Sequence, residues 1–226
     1  MSLSNKILIG FFGSIFLYLT SVFLEIRLRG TPNNIDENNS KVESVDVSGI
    51  SFLILQDINK NIQVTGSEQP RLEVRSLSGD ALKKLKYSIS GDTLLVSGIS
   101  EENLSAVKIT VFVPHSALKG IEVTRAEASI EGLQQDLLKI SQNSGRIDLG
   151  TNTISKIEID LSNKAVMEIV TPGLDSLSAS LDNSKVYISS PLGLLYGSMK
   201  NSSYLYLTNI QEIQFKKDES SQFSMY

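Results

Sequence analysis

Asp148, Glu168, Tyr187 and Tyr206 each stand at the centre of an apolar-polar-apolar triplet: Ile147-Asp148-Leu149, Met167-Glu168-Ile169, Val186-Tyr187-Ile188 and Leu205-Tyr206-Leu207. Ala128-Ser129-Ile130 opens the series, and successive triplets start 19, 20, 19 and 19 residues apart. Such alternation is strand periodicity, so each central residue points away from the core. Stacked as neighbouring strands, the central residues would lie about 4.8 Å apart. Two exposed tyrosines would then stand beside two adjacent carboxylates. Sugars suit such a surface, with apolar ring faces on the aromatics and hydroxyls on the carboxylates. Tyr187, Tyr206, Asp148 and Glu168 are therefore the candidate glycan face. Paired carboxylates near 5 Å also suit retaining glycoside hydrolysis, but that chemistry needs a cleft to raise the pKa of its acid. The plain alternative is a solvated sheet face where Tyr serves strand propensity and cross-strand packing.

Little else in the chain could do chemistry. The absence of cysteine removes disulfides, thiolate metal sites and cysteine nucleophiles. His115 is the only histidine and follows Pro114, which reads as a structural position at a strand end. No G-x-S-x-G, G-x-x-x-x-G-K-[ST] or G-x-G-x-x-G occurs, and no D-x-D-x-D-G calcium loop. No catalytic residue, cofactor or metal is expected, and the chain does not read as an enzyme. Asp175-Ser176-Leu177 and Asp92-Thr93-Leu94 match a D-[ST]-apolar pattern of bacterial O-glycosylation acceptors. Leaving out residues 1–30 (Lys6, Arg27 and Arg29 against Glu25) takes the net charge from −4 to −6. An acidic body does not suit nucleic acid, whose phosphates call for a basic face.

The elements that must position the four candidates are repeated. A second strand series precedes the first in each unit: Ile121-Glu122-Val123, Leu138-Lys139-Ile140, Ile157-Glu158-Ile159, Leu177-Ser178-Ala179, Leu195-Tyr196-Gly197 and Ile213-Gln214-Phe215. Its intervals are 17, 19, 20, 18 and 18 residues. Asn143, Asn163, Asn183 and Asn201 fall between the two strands, where their tolerance of left-handed backbone suits a corner. A fixed period near 20 signals a repeat architecture. One unit cannot bury its apolar face alone, whereas stacked units bury a continuous core. The expected fold is an all-β, parallel β-solenoid with coils of 18–20 residues, the alternative being a β-sandwich. On its outer face Lys139 should form a surface pair with Glu158.

Residues 7–24 carry no charge, and as a helix they would extend about 27 Å, close to the thickness of a bilayer core. The run exceeds a signal-peptide apolar region and no A-x-A-like site follows. Residues 1–29 are therefore expected to be an uncleaved transmembrane anchor and residues 30–41 a polar stalk. The α-amino group and Lys6 on one side nearly balance Arg27 and Arg29 on the other, so flanking charge does not set orientation. The solenoid domain should span residues 42–226, with a less regular half over 42–117 and the regular repeat over 118–226. In the first half, short strands are expected over 42–47, 52–55, 62–64 and 72–74. A helical turn near Asp80–Leu85 and a strong strand over 106–114 should follow. The charged run Lys216–Phe223 would cap the last coil, which favours a monomer.

The segment "DALKKLKYSISGDTLLVSG", the strand ending "VFVPHSALKGIEV" and the following Asn-Ser corners resemble the bacterial auto-transporter adhesin, head GIN domain family. The resemblance runs from Val42 to Tyr226. It departs at "VTRAEASIEG", where Arg125 and Glu127 stand in place of Gly or Ser. The resemblance implies an exported or surface-facing β-helix, with the N-terminus inside and the body in the periplasm or at the cell surface. Adhesion-like binding or scaffolding is the expected function, with a glycan or an envelope protein as partner and the membrane held through the N-terminal helix. The alternative is a polysaccharide-acting β-helix hydrolase or lyase.

Overall fold

A computed structural model describes residues 11–22, 40–99 and 107–225. The chain forms two compact units, Met1–Asn34 and Ile35–Tyr226. In the first unit, residues 11–22 form helix α1. Phe11, Phe12, Phe16, Leu17 and Tyr18 are exposed around its whole circumference. Among the described residues no helix is long and apolar enough to cross a membrane. Much of the expected anchor, and residues 30–39 of the stalk, lie outside the described residues.

The second unit is a β-solenoid of about six turns. Its elements are β1 (Lys41–Asp46), β2 (Phe52–Ser67), β3 (Arg71–Ser76), α2 (Ala81–Lys84), β4 (Leu85–Ser90), β5 (Thr93–Ile99), β6 (Val107–Pro114), β7 (Gly120–Glu131) and β8 (Gln134–Leu149). Then come β9 (Thr153–Ser162), β10 (Val166–Ile169), β11 (Leu174–Asp182), β12 (Lys185–Ile188), β13 (Leu192–Lys200), β14 (Tyr204–Leu207), β15 (Ile210–Lys217) and β16 (Gln222–Met225). From β7 onward each turn contributes one strand to each of two faces. The first face runs β7, β8, β9, β11, β13, β15 and the second β7, β8, β10, β12, β14, β16. β7 and β8 serve both faces because each bends through a corner. Every pairing along this stack is parallel. A sandwich of hairpins would need antiparallel neighbours, so that alternative is excluded.

Inward residues form continuous columns. Ile121, Ile140, Ile159, Ala179, Gly197 and Phe215 are in register on the first face. Ala128, Ile147, Met167, Val186, Leu205 and Phe223 are in register on the second. The first interval differs from the sequence expectation: Ile121 opposes Ile140, not Leu138. A slip of two residues leaves every side chain on its own face, so periodicity alone could not distinguish the two registers.

Asn163, Asn183 and Asn201 hold left-handed backbone at φ of 57°, 48° and 57°. At the first of these corners Ser144 and Gly145 do so instead, and Asn143 is the last β8 residue paired with β9. A Cβ at Gly145 would lie 2.0 Å from the Ala126 carbonyl oxygen. Arg125, where the family resemblance breaks, is itself a corner residue with φ of 49°. Asp57 sits left-handed on the adjacent coil, and Arg125 Nε meets its carboxylate at 2.6 Å.

The first half starts the stack in a different order. β2 also bends, and it lies between β6 and β7 on the second face and between β5 and β7 on the first. β3 and β1 then extend the second face antiparallel, and β4 extends the first. The expected strands over 52–55 and 62–64 are thus one continuous element.

Candidate functional site

The central residues of the triplets form one outward column on the second face. Thr110, Gln63, Ser129, Asp148, Glu168, Tyr187, Tyr206 and Ser224 follow one another in register across eight strands. The four sequence-identified candidates are therefore contiguous, in the expected order.

Tyr187 and Tyr206 stack with ring centroids 4.8 Å apart and planes 5° from parallel. Parallel pairing at fixed register forces this, because equivalent side chains repeat at the strand spacing. Tyr204 extends the platform, with its ring 6.3 Å from that of Tyr206. Lys185 Nζ lies 5.3 Å from the Tyr204 ring centroid, a cation–π contact. Sequence reasoning missed Tyr204 and Lys185. Both begin triplet strands and lie outward two positions from a column residue, so period two could have found them.

Arg146 was missed as well, and it changes the acidic pair. Its Nε lies 2.7 Å from Asp148 Oδ1, and its Nη2 donates to Glu168 Oε2 at 2.7 Å. One guanidinium therefore bridges carboxylates on adjacent coils. All three side chains are about two-fifths exposed, at 44%, 43% and 41%. Two carboxylates sharing a cation on an open sheet do not resemble the buried acid and free nucleophile of a hydrolase. What the arrangement offers is a flat aromatic ledge continuous with a fixed row of acceptors.

Elsewhere, Lys139 Nζ meets Glu158 at 2.8 Å, the expected surface pair. His115 is half-buried, and its Nδ1 lies 2.8 Å from the Gly132 carbonyl, tying the end of β6 to the turn after β7. Thr93 and Ser176 of the two D-[ST]-apolar tripeptides are both half-buried at strand positions. Among the described residues no cluster of three or more His, Asp or Glu could hold a metal. A groove of about 520 Å³ crosses the outer first face between Phe52, Gly120, Glu122, Lys139, Glu158 and Asp160.

The sequence matches no protein-family model and no curated protein. The fold does match solved structures. A protein from Bacteroides fragilis named a "putative adhesin" shares 14% identity, with a TM-score of 0.55 over 83% of this chain and 97% of that one. A second "putative adhesin", from Parabacteroides distasonis, shares 12% identity, with a TM-score of 0.54 over 82% of this chain and 93% of that one. At these identities the likeness is one of fold.

Proposed function

We propose that the chain is a membrane-anchored envelope β-solenoid that works as an adhesion-like binding module, with the tyrosine ledge on its second face as a glycan-binding surface. One observation carries the reading: Tyr187 and Tyr206 stack at 4.8 Å in the same outward column as Asp148 and Glu168. A stacked aromatic surface gives a sugar ring its apolar contact, and the adjoining carboxylates accept its hydroxyls. The names of the two structural neighbours agree with an adhesion-like role, and the head GIN domain is the family we assign on its residue pattern. An anchor is supported by the charge-free run over residues 7–24 and by the all-round apolar surface of α1. The body then lies outside the cytoplasm, in the periplasm or at the cell surface.

The test is retention of the full chain, held in detergent, on immobilised oligosaccharides. Tyr187→Ala should weaken retention about tenfold, as expected when a desolvated aromatic contact is lost. The Tyr187→Ala/Tyr206→Ala double variant should abolish it. Failure of the wild type to bind any oligosaccharide, or binding indifferent to both tyrosines, would reject the glycan face. Protease treatment of intact cells separately tests the envelope assignment, because a protected body would place it in the cytoplasm.

A further inference from the structure

The groove on the outer first face is built from two adjacent outward columns. Phe52, Gly120, Lys139 and Glu158 form one, and Ile54, Glu122, Ser141 and Asp160 the other, each in register across β2, β7, β8 and β9. Gly120 and Ser141 are the small members and lie diagonal to each other, so the face drops between them and leaves about 520 Å³. A Cβ on Gly120 would stand 3.1 Å from Phe52 Cδ1, so the Phe52 ring leans over the glycine. The ring shields that backbone, yet Phe52 remains 40% exposed. Lys139 Nζ is taken by Glu158 at 2.8 Å. Among the described residues, Glu122 and Asp160 have no hydrogen-bond or ion-pair partner. The second face differs on that point, because there Arg146 holds both Asp148 and Glu168. The groove thus joins an apolar wall of Phe52 and Ile54 to two carboxylates whose charge no described cation offsets.

Spacing narrows what this groove can hold. Phe52 and Glu122 are diagonal neighbours across the β2–β7 pairing, about 7 Å apart. That distance fits one sugar ring laid against Phe52 with an amino substituent directed at Glu122. Asp160 lies two strand steps from Glu122, about 10 Å, beyond the reach of the same ammonium. A calcium ion bonds its oxygens at about 2.4 Å, so carboxylates this far apart do not share one. A peptide is no better suited. β2, β7, β8 and β9 spend their backbone groups on one another, so the face offers a peptide backbone nothing to pair with. A linear polyamine supplies charge but no ring face for Phe52, and it loses more freedom on binding. We propose that the groove binds a glycan carrying free amino groups, with one sugar ring on Phe52, its ammonium on Glu122 and the ammonium of a further sugar on Asp160. Ser141 stands between the two acids and can donate to or accept from sugar hydroxyls. This groove shares no residue with the tyrosine ledge of the other face, so each stands without the other.

The experiment titrates the full chain in detergent, at about pH 6, with a glucosamine oligomer, its N-acetylated counterpart of equal length, and spermidine. Acetylation keeps the rings and removes the charge, so the free amine should bind at least about tenfold more tightly. Glu122→Gln, Asp160→Asn and Phe52→Ala should each weaken it about tenfold. Gly120→Val keeps every charge but fills the floor of the groove and displaces the Phe52 ring, so it should abolish binding. Gly120 does not hold left-handed backbone, and an unfolding midpoint near that of the wild type checks that the variant is folded. Glu219→Gln removes an exposed carboxylate outside the groove and should change nothing. Equal loss in Glu219→Gln and Glu122→Gln would reduce the binding to diffuse attraction by an acidic body and overturn the proposal. So would an N-acetylated oligomer that binds as tightly as the free amine, or binding indifferent to Gly120→Val. Spermidine bound as tightly as the glucosamine oligomer would reject the sugar. Tyr187→Ala should leave this ligand unaffected. Loss in Tyr187→Ala with none in Glu122→Gln would move the amino sugar to the ledge and reject the groove.

Discussion

The two halves of the solenoid bury the same kind of core but assemble it differently. From β7 to β16 each coil lies on the one before it, and partners across a pairing are 18–20 residues apart. In the first half, β2 pairs with β5 on one side and β7 on the other, so Leu53 faces both Leu94 and Ile121. Those contacts close far longer loops, which carry a larger entropic cost before they form. The corners differ in the same sense. Asparagine, serine, glycine and one lysine, Lys164, take left-handed backbone in the regular half, whereas the β2–β7 corner uses Asp57 and Arg125, which hold each other. A stack of local coils needs only a periodic sequence, whereas an inserted strand needs specific partners.

Core truncation tests that contrast most severely. Leu53 and Leu205 are both fully buried. Leu53→Ala should cost about 3–5 kcal/mol, and Leu205→Ala about 2–4 kcal/mol. Their hydrogen-exchange patterns should differ more than their costs. Leu53→Ala should lower protection throughout the unit, because β2 joins the two halves. Leu205→Ala should open β14 and β16 first, as in a one-dimensional stack. Uniform loss of protection in both variants would refute separate modes of assembly.

At the corners, Gly145→Ala comes next. Its backbone is left-handed and the added Cβ would collide with the Ala126 carbonyl, so about 3 kcal/mol should be lost. In a unit of this size that lowers the unfolding midpoint by roughly 6–12 °C. Asn183→Ala should cost about 1 kcal/mol, the left-handed penalty of a residue with a Cβ and no local hydrogen bond. Arg125→Gly should leave the midpoint unchanged or raise it. It relieves the same penalty and loses only an ion pair whose side chains are 63% and 44% exposed. A large loss on Arg125→Gly would mean that the Asp57 contact organises the corner rather than tolerating it.

Much of the regular half was legible in the sequence because its two signals reinforce each other. Period two sets the inward face, and period 19 sets the stacking, so the column from Ser129 to Tyr206 emerged in correct register. What the sequence did not reveal follows from physical ambiguity. Leu138 and Ile140 face the same way, and only the pairing distinguishes them. Arg146 looked like an ordinary outward residue until its coil neighbour placed Glu168 within reach. The place of β2 between β6 and β7 leaves no local trace, since its alternation would suit any position in the stack.

The smallest effect expected lies at the far end of the regular half, where among the described residues no antiparallel strand extends the faces. Lys217 occupies the inward column of Leu181 and Met199. The side chain is exposed and its Nζ donates to the Ser221 carbonyl at 3.3 Å, so a charge stands at the end of that column. A charge on an edge strand discourages further pairing. Asp218 organises the same turn. The Ser221 side chain and the Asn201 backbone N–H, followed by Ser220 and the Ser221 N–H, hold its carboxyl down to about 2 from an ordinary value of 3.8. The Asn201 N–H donates at 2.8 Å. A folded-state value below the unfolded one gives stability that is present above pH 4 and lost as pH falls toward 2. Asp218 is half-buried in a surface turn at the end of the stack, so the effect should be local. At pH 6, Asp218→Asn should speed amide exchange in β15 and β16 while leaving β7 and β8 unchanged. At pH 1, below the folded value, the wild type and the variant should exchange alike, since protonation removes what the substitution removes. A difference that persists at pH 1 would show that the turn depends on the shape of the aspartate rather than on its charge.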